Sequence, residues 1–231
     1  MGAPLKPIFL LADSQPLFRT YHGEHLLDKT LPLFDGAALR AAYIGVSNDN
    51  NPAYYQIFTS AMETYAVEEC RMIQKSFSTE DKNFLEKAQI IVLSGGDTRK
   101  GWLWMKESGV VDILRERYVK GGILIGVSAG AIQLGLCGRM ATNNEHIELY
   151  DTLRLVPFCI DAHQEKSDWQ ELKRTLAKSG QPTRAIGLPF GSALIYHSEH
   201  QLQPLGPVDE FYLENGHIRH NLLLPENGFA H

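Results

Sequence analysis

A serine flanked by glycines, Gly126-Val127-Ser128-Ala129-Gly130-Ala131, follows the apolar run Ile123-Leu124-Ile125 and precedes a segment of helical period. A G-x-S-x-G run between a strand and a helix is the sequence form of a nucleophile elbow, a sharp turn that lifts the serine hydroxyl out of the sheet edge. Gly126 and Gly130 remove side chains that would collide with neighbouring elements, and the helix behind aims its N-terminal N–H groups at the same point. An oxyanion developing there would meet the Ala129 N–H. The competing reading is a Gly/Ser turn that only closes a strand into a helix.

A second glycine turn, Ser94-Gly95-Gly96-Asp97-Thr98, follows another apolar run, Ile90-Ile91-Val92-Leu93. Strand C-termini in an open α/β sheet face the ligand crevice, so both turns are expected on one sheet edge, with Gly96 lending a second oxyanion N–H. A serine nucleophile needs a base. Of nine histidines, His163 ends the strand-like run Leu155-Val156-Pro157-Phe158-Cys159-Ile160 and sits among polar residues, so it is the expected base, with His146 in reserve. His197, His200, His217 and His220 fall in a C-terminal β region and read as solvated. Asp161 and Glu165 flank His163, and in extended backbone all three side chains would share a face. Glu165 is the expected orienting carboxylate, with Glu145 or Asp161 as replacements. Solvated loop carboxylates are the other reading.

These groups require a scaffold. Four Ile/Val/Leu-rich runs, 8–12, 41–46, 90–93 and 123–127, alternate with longer segments of helical period, as in a mostly parallel sheet buried on both faces. Helices are expected over 52–66, behind an Asn51 N-cap with Pro52 at the first position, and over 79–87, with Thr79 as N-cap. Segment 98–120 divides into two helices at Gly109. A helix over 129–137, a strand over 153–162 and a helix over 167–178 follow. Strands at 193–196 and 210–213, with a hairpin turn over 214–217, make the C-terminal part antiparallel β. The expected architecture is α/β, a three-layer sandwich with a mostly parallel central sheet and antiparallel β at the C-terminal end. No linker interrupts it, so 1–231 reads as a single domain.

The 231 residues carry 22 Lys+Arg against 27 Asp+Glu, a net charge of -5, which argues against nucleic acid or anionic lipid as a partner. The apolar N-terminal run is too short for a signal-peptide core or a membrane span. Three cysteines, Cys70, Cys137 and Cys159, give neither a disulfide framework nor a metal-ligand spacing, which suits a reducing, cytoplasmic compartment.

Ser94-Gly95-Gly96-Asp97-Thr98, the stretch from Gly121 to Ala131, and Leu155-Val156-Pro157 leading to His163 together resemble the serine peptidases of the dipeptidase E and cyanophycinase group. Ser14-Gln15-Pro16-Leu17-Phe18 is similar too, and the likeness spans about residues 5–200. It implies the class I glutamine amidotransferase-like fold, with serine in place of the amidotransferase cysteine. It also implies Ser128 as nucleophile, His163 as base, and the N–H groups of Gly96 and Ala129 as oxyanion hole. Asp97 and Thr98 are expected to contact substrate. The sequence departs from the family at the triad acid. Dipeptidase E has Thr-Asn-Asp where Thr142-Asn143-Asn144 stands, followed by Glu145, and the acidic cyanophycinase run is here Gly187-Leu188-Pro189-Phe190-Gly191-Ser192-Ala193. The arginines that follow the cyanophycinase histidine are replaced by Gln164-Glu165-Lys166-Ser167-Asp168, so neither family substrate carries over. The expected activity is hydrolysis of a short peptide or small amide, without metal or organic cofactor, by a soluble protein for which a homodimer is among the expected assemblies. The competing classes are a ligand-binding or regulatory protein that kept the pocket, and an esterase or transferase.

Overall fold

The first apolar run shows why this chain builds a sheet: all four residues of β1 (Ile8–Leu11) are buried, and they divide between two cores. Ile8 and Leu10 face one cluster, Phe9 and Leu11 the other. A strand with apolar side chains in both directions is covered on both faces. The computed structural model describes residues 5–34, 36, 38–141, 147–179 and 184–225.

After β1 comes a short hairpin, β2 (Thr20–Tyr21) and β3 (Glu24–His25), then β4 (Arg40–Ile44). Helix α1 (Pro52–Thr64) starts as expected, with the Asn51 side chain accepting from the Ala53 N–H. Next are β5 (Glu69–Ile73) and α2 (Thr79–Leu85), whose N-cap is Ser78 rather than Thr79, in a reciprocal capping box with Asp81. Then follow β6 (Ile90–Leu93), α3 (Thr98–Glu107) and α4 (Val110–Val119), the two helices separated by left-handed Gly109. β7 (Ile123–Val127) leads into α5 (Ala129–Leu134). That helix is three residues shorter than expected, because Cys137 already belongs to β8 (Cys137–Ala141), which pairs with β9 (Ile147–Asp151).

The run expected as a strand over 153–162 is one only in β10 (Phe158–Ala162). Pro157 offers no N–H to a ladder. Helix α6 (Gln170–Ser179) begins later than 167 because Asp168 and Trp169 both have positive φ, 51° and 56°. The chain ends with β11 (Arg184–Leu188), β12 (Ala193–Tyr196), β13 (Leu202–Leu205), β14 (Val208–Glu214) and β15 (His217–Leu223). The β14–β15 turn is made by Asn215 and Gly216, both at positive φ, as a two-residue hairpin requires.

The central sheet has seven strands in the order β13-β12-β1-β7-β6-β4-β5. The pairs from β1 through β5 are parallel, and β12 and β13 extend the sheet antiparallel. Trp102, Met105, Leu114 and Leu134 from α3, α4 and α5 pack on one face, Phe58 and Met62 from α1 on the other. A second sheet, β10-β11-β14-β15, joins a parallel β10–β11 pair to an antiparallel remainder, and α6 packs on it through Leu172 and Leu176. The described cysteines are free, with the Cys137 and Cys159 Sγ atoms 3.3 Å apart. No helix among the described residues is long and apolar enough to cross a membrane.

Candidate active site

The elbow forms where the motif places it. Ser128 connects β7 to α5 with φ 50° and ψ −109°, a conformation that costs a non-glycine residue about 1–3 kcal/mol and persists only where the surroundings enforce it. They do so on both sides. The Ser128 N–H donates to the Leu11 carbonyl of the neighbouring strand at 2.8 Å, and the Ser128 carbonyl accepts from the Ala131 N–H at 2.9 Å. The two glycines permit the close approach. A Cβ on Gly126 would lie 2.6 Å from the Ala131 backbone, and one on Gly130 would lie 2.1 Å from the Leu93 carbonyl oxygen. The serine is left half-buried at the tip, and Ala129 opens a helix whose first N–H groups have no intrahelical partner.

The ends of the parallel strands converge on a cavity of about 330 Å³. Asp13 enters it after β1, Asn48 after β4, Gly95 and Gly96 after β6, Ser128 after β7, and His163 after β10. The second glycine turn therefore lies against the nucleophile: a Cβ on Gly95 would be 3.4 Å from Ser128 Cβ. Gly96 sits at φ +127° with its Cα pressed against the Ser47 carbonyl, which a Cβ would meet at 2.2 Å, so only glycine fits there.

His163 leaves β10 with φ 62°, and its N–H donates to the carbonyl of Leu188, the last residue of β11, at 3.1 Å. Its exposed ring rests against the Phe190 ring, with centroids 5.6 Å apart. The left-handed step at His163 ends the alternation that sequence reasoning relied on, so Asp161, His163 and Glu165 do not share a face. The Asp161 carboxylate instead turns inward, 2.6 Å from Arg139 Nη1 and 3.0 Å from the Ala162 N–H. Burial raises its pKa even beside that guanidinium, and the group serves the packing of β10. Glu165 opens a short 3-10 turn at the surface and shares with His163, Lys166 and Phe190 a shallow outer depression. No carboxylate among the described residues hydrogen-bonds the His163 ring. Glu145 and His146 lie outside the described residues.

Asp97 and Thr98, expected to contact substrate, do not border this cavity among the described residues. The Asp97 carboxylate caps α3, accepting from the Lys100 N–H at 2.9 Å, while its own N–H donates to the Ser47 carbonyl. Thr98 lines a separate cavity with Ile132, Cys137 and Arg139. Asp-x-x at a helix start is itself a capping signal, and it outweighs proximity to the glycine turn. Sequence reasoning missed Asp13, the carboxylate that does line the cavity. Its signal was positional, since it stands just past the first buried strand, where strand ends carry function. Among the described residues no three His, Cys, Asp or Glu side chains are grouped to hold a metal ion.

The model of peptidase family S51 matches residues 9–203. Peptidase E of Salmonella gallinarum (strain 287/91 / NCTC 13346) is 30% identical over 145 residues, 57% of this chain and 60% of that protein. A relative named "Uncharacterized peptidase YgaJ", from Bacillus subtilis (strain 168), is 31% identical over 94 residues, 40% of this chain and 41% of its own length. The chain thus spans about half the length of the curated relatives it matches. Among solved structures, a peptidase from an acI-B1 Actinobacterium superposes with a TM-score of 0.69 at 17% identity, covering 98% of this chain and 97% of that one. A Listeria monocytogenes EGD-e protein gives 0.59 at 17% identity over 91% of this chain and all of its own, and these two likenesses speak to the fold.

Proposed function

Because the chain belongs to peptidase family S51, we propose that it is a single-domain serine hydrolase, residues 1–231, cleaving a short peptide or small amide at Ser128. The observation that carries the reading is the shared cavity: Ser128, His163 and the Gly95-Gly96 turn border one space of about 330 Å³. In the proposed cycle the His163 imidazole takes the Ser128 proton as Oγ attacks the scissile carbonyl carbon. The Gly96 and Ala129 N–H groups receive the oxyanion, and the imidazolium returns its proton to the leaving amine. Water, deprotonated by the same ring, then attacks the acyl-enzyme and regenerates the serine. The strained turn holds the hydroxyl in place before substrate arrives, so less ordering remains for the reaction itself.

Glu165 is the carboxylate proposed to support His163. Without a hydrogen bond to the ring it acts as a nearby charge in the outer depression, and its contribution is smaller than the roughly 10⁴-fold of a bonded triad aspartate. The His163 backbone is held by its N–H bond to the Leu188 carbonyl, and the ring rests on the Phe190 face. Turnover of a dipeptide panel tests the reading. Ser128→Ala and His163→Ala are each expected to lower kcat by about 10⁴-fold or more. Residual activity within tenfold of wild type in either variant would refute it.

A ligand-binding protein without turnover is the second reading, favoured by the absence of a carboxylate bonded to His163 among the described residues. Saturable dipeptide binding without product release in the wild-type protein would select it.

A further inference from the structure

We propose that the cavity beside Ser128 selects peptides whose amino-terminal residue is apolar or aromatic and whose α-amine is free, with Asp13 holding the ammonium. This rests on the hydrolase reading above and names its substrate class. The cavity walls are apolar. Leu17, Tyr43, Phe58, Val92 and Val127 line it, and among the described residues no lysine or arginine borders it. Two of its polar wall groups are turned on each other, Asn48 Nδ2 donating to Tyr43 Oη at 2.9 Å. Burial pushes the Tyr43 phenol above its ordinary pKa, so that wall is uncharged at neutral pH. The rim continues the character: Tyr54 and Ile57, on the outward side of α1, are 53% and 39% exposed beside the opening.

A side-chain carboxylate entering this space would lose its hydration without a cation to meet it and would face the Asp13 charge, so acidic amino-terminal residues are disfavoured. A phenyl or isobutyl group replaces water against apolar carbon. The volume, about 330 Å³, lies at the small end of the range of roughly 300–1,000 Å³ for ligand sites, which suits one side chain rather than an extended peptide.

Asp13 supplies the second half of the selection. Its Oδ1 accepts from the Gln15 N–H at 2.7 Å and its Oδ2 from the Gly191 N–H at 2.6 Å, which fixes the carboxylate and leaves acceptor capacity on both oxygens. Among the described residues no ion pair engages it, because Arg19 of the same turn donates to Gln15 Oε1 and to the Gly191 carbonyl instead. The register puts this charge next to the nucleophile. Leu11 pairs with Val127 across the parallel β1–β7 ladder, so Asp13 and Ser128 lie two and one residues beyond paired positions. An α-ammonium is one carbon from the scissile carbonyl, a spacing that fits neighbouring strand ends about 4.8 Å apart.

Steady-state kinetics on Phe-Ala, Leu-Ala, Asp-Ala and N-acetyl-Phe-Ala test the proposal, with calorimetric binding of the same four peptides to Ser128→Ala as a readout independent of turnover. Phe-Ala and Leu-Ala are expected to exceed Asp-Ala about 100-fold, and acetylation is expected to cost about 100-fold. Asp13→Asn, which keeps one acceptor oxygen, is expected to bring the free and acetylated peptides within about fivefold of each other. Tyr54→Ala at the rim is expected to lower the Phe-Ala preference about tenfold, with melting temperatures confirming that both variants fold. Should turnover be absent while Ser128→Ala binds Phe-Ala over Asp-Ala, the hydrolase reading fails and the pocket assignment stands. Binding or turnover of Asp-Ala equal to Phe-Ala, indifference to acetylation, or no binding of any peptide would overturn it.

Discussion

Replacing Gly130 by alanine tests whether the elbow depends on the approach of α5 to β6. The added Cβ would lie 2.1 Å from the Leu93 carbonyl oxygen, 2.6 Å from its carbon and 2.8 Å from Leu93 Cβ. Carbon–oxygen contacts settle at about 3.3 Å, so the two elements must separate by roughly 1 Å. Leu93 cannot give way, because β6 is hydrogen-bonded to β4 on one side and β7 on the other and the residue is fully buried. The displacement falls on α5, which carries the Ala129 N–H and holds the Ser128 carbonyl through the Ala131 and Ile132 N–H groups. A misplacement of about 1 Å costs on the order of 100-fold in rate, and overpacking of this kind costs about 1–3 kcal/mol of stability. At roughly 2–4 °C per kcal/mol for a chain of this size, the melting temperature should fall by several degrees. The assay is the second-order rate of Ser128 labelling by a fluorophosphonate, with a thermal melt alongside. Gly109→Ala is the control: its φ of +75° strains an alanine by about 1–2 kcal/mol, but a Cβ there meets nothing within 4 Å. It should melt lower and label at the wild-type rate. Gly130→Ala labelling within twofold of wild type at an unchanged melting temperature would refute the reasoning.

Glu165→Gln should lower kcat less than tenfold, since no hydrogen bond joins Glu165 to the ring; a loss near 10⁴-fold would mean that the carboxylate bonds His163 during turnover. Asp97→Ala should cost about 1 kcal/mol through the lost α3 cap and leave KM within twofold, which urea denaturation and steady-state kinetics would check. At Asp81, burial pushes the carboxyl pKa up, but hydrogen bonds from Arg71 and Ser78 outweigh it and hold the pKa below the usual value. A depressed folded pKa stabilises above the ordinary carboxylate value of about 3.9 and loses that stabilisation as pH falls through it. The stability gap between wild type and Asp81→Asn should therefore be constant near neutrality and shrink below about pH 4; a gap that widens on acidification would contradict the sign.

Much of the scaffold was legible because its causes are local. The runs Ile90–Leu93 and Ile123–Val127 stand where apolar patterning put them, and Asn51, Gly109 and the Asn215-Gly216 turn act through their own backbone chemistry. The family was legible from the elbow and the residues around it, since Gly126 and Gly130 are required by contacts within a few residues or one strand away. What could not be read is long-range. Asp161 looks like a partner for His163 until Arg139, 22 residues earlier, claims it. β5 is an edge strand of mixed polarity, Glu69-Cys70-Arg71-Met72-Ile73, and carries no clean alternation. Asp13 reached the cavity through the pairing of β1 with β7, separated by more than a hundred residues, and the Phe190 ring reached His163 through β11. Asp97 was legible as a helix cap, the role its carboxylate takes at the start of α3.

The central claim is that Ser128 is a nucleophile activated by His163, and the site of fluorophosphonate attachment tests it most directly. Mass spectrometry of the labelled, digested protein should find the adduct on Ser128 alone, and His163→Ala, folded to the same melting temperature, should abolish it. An adduct at another residue, no adduct in wild type, or undiminished labelling of Ser128 in His163→Ala would contradict the account.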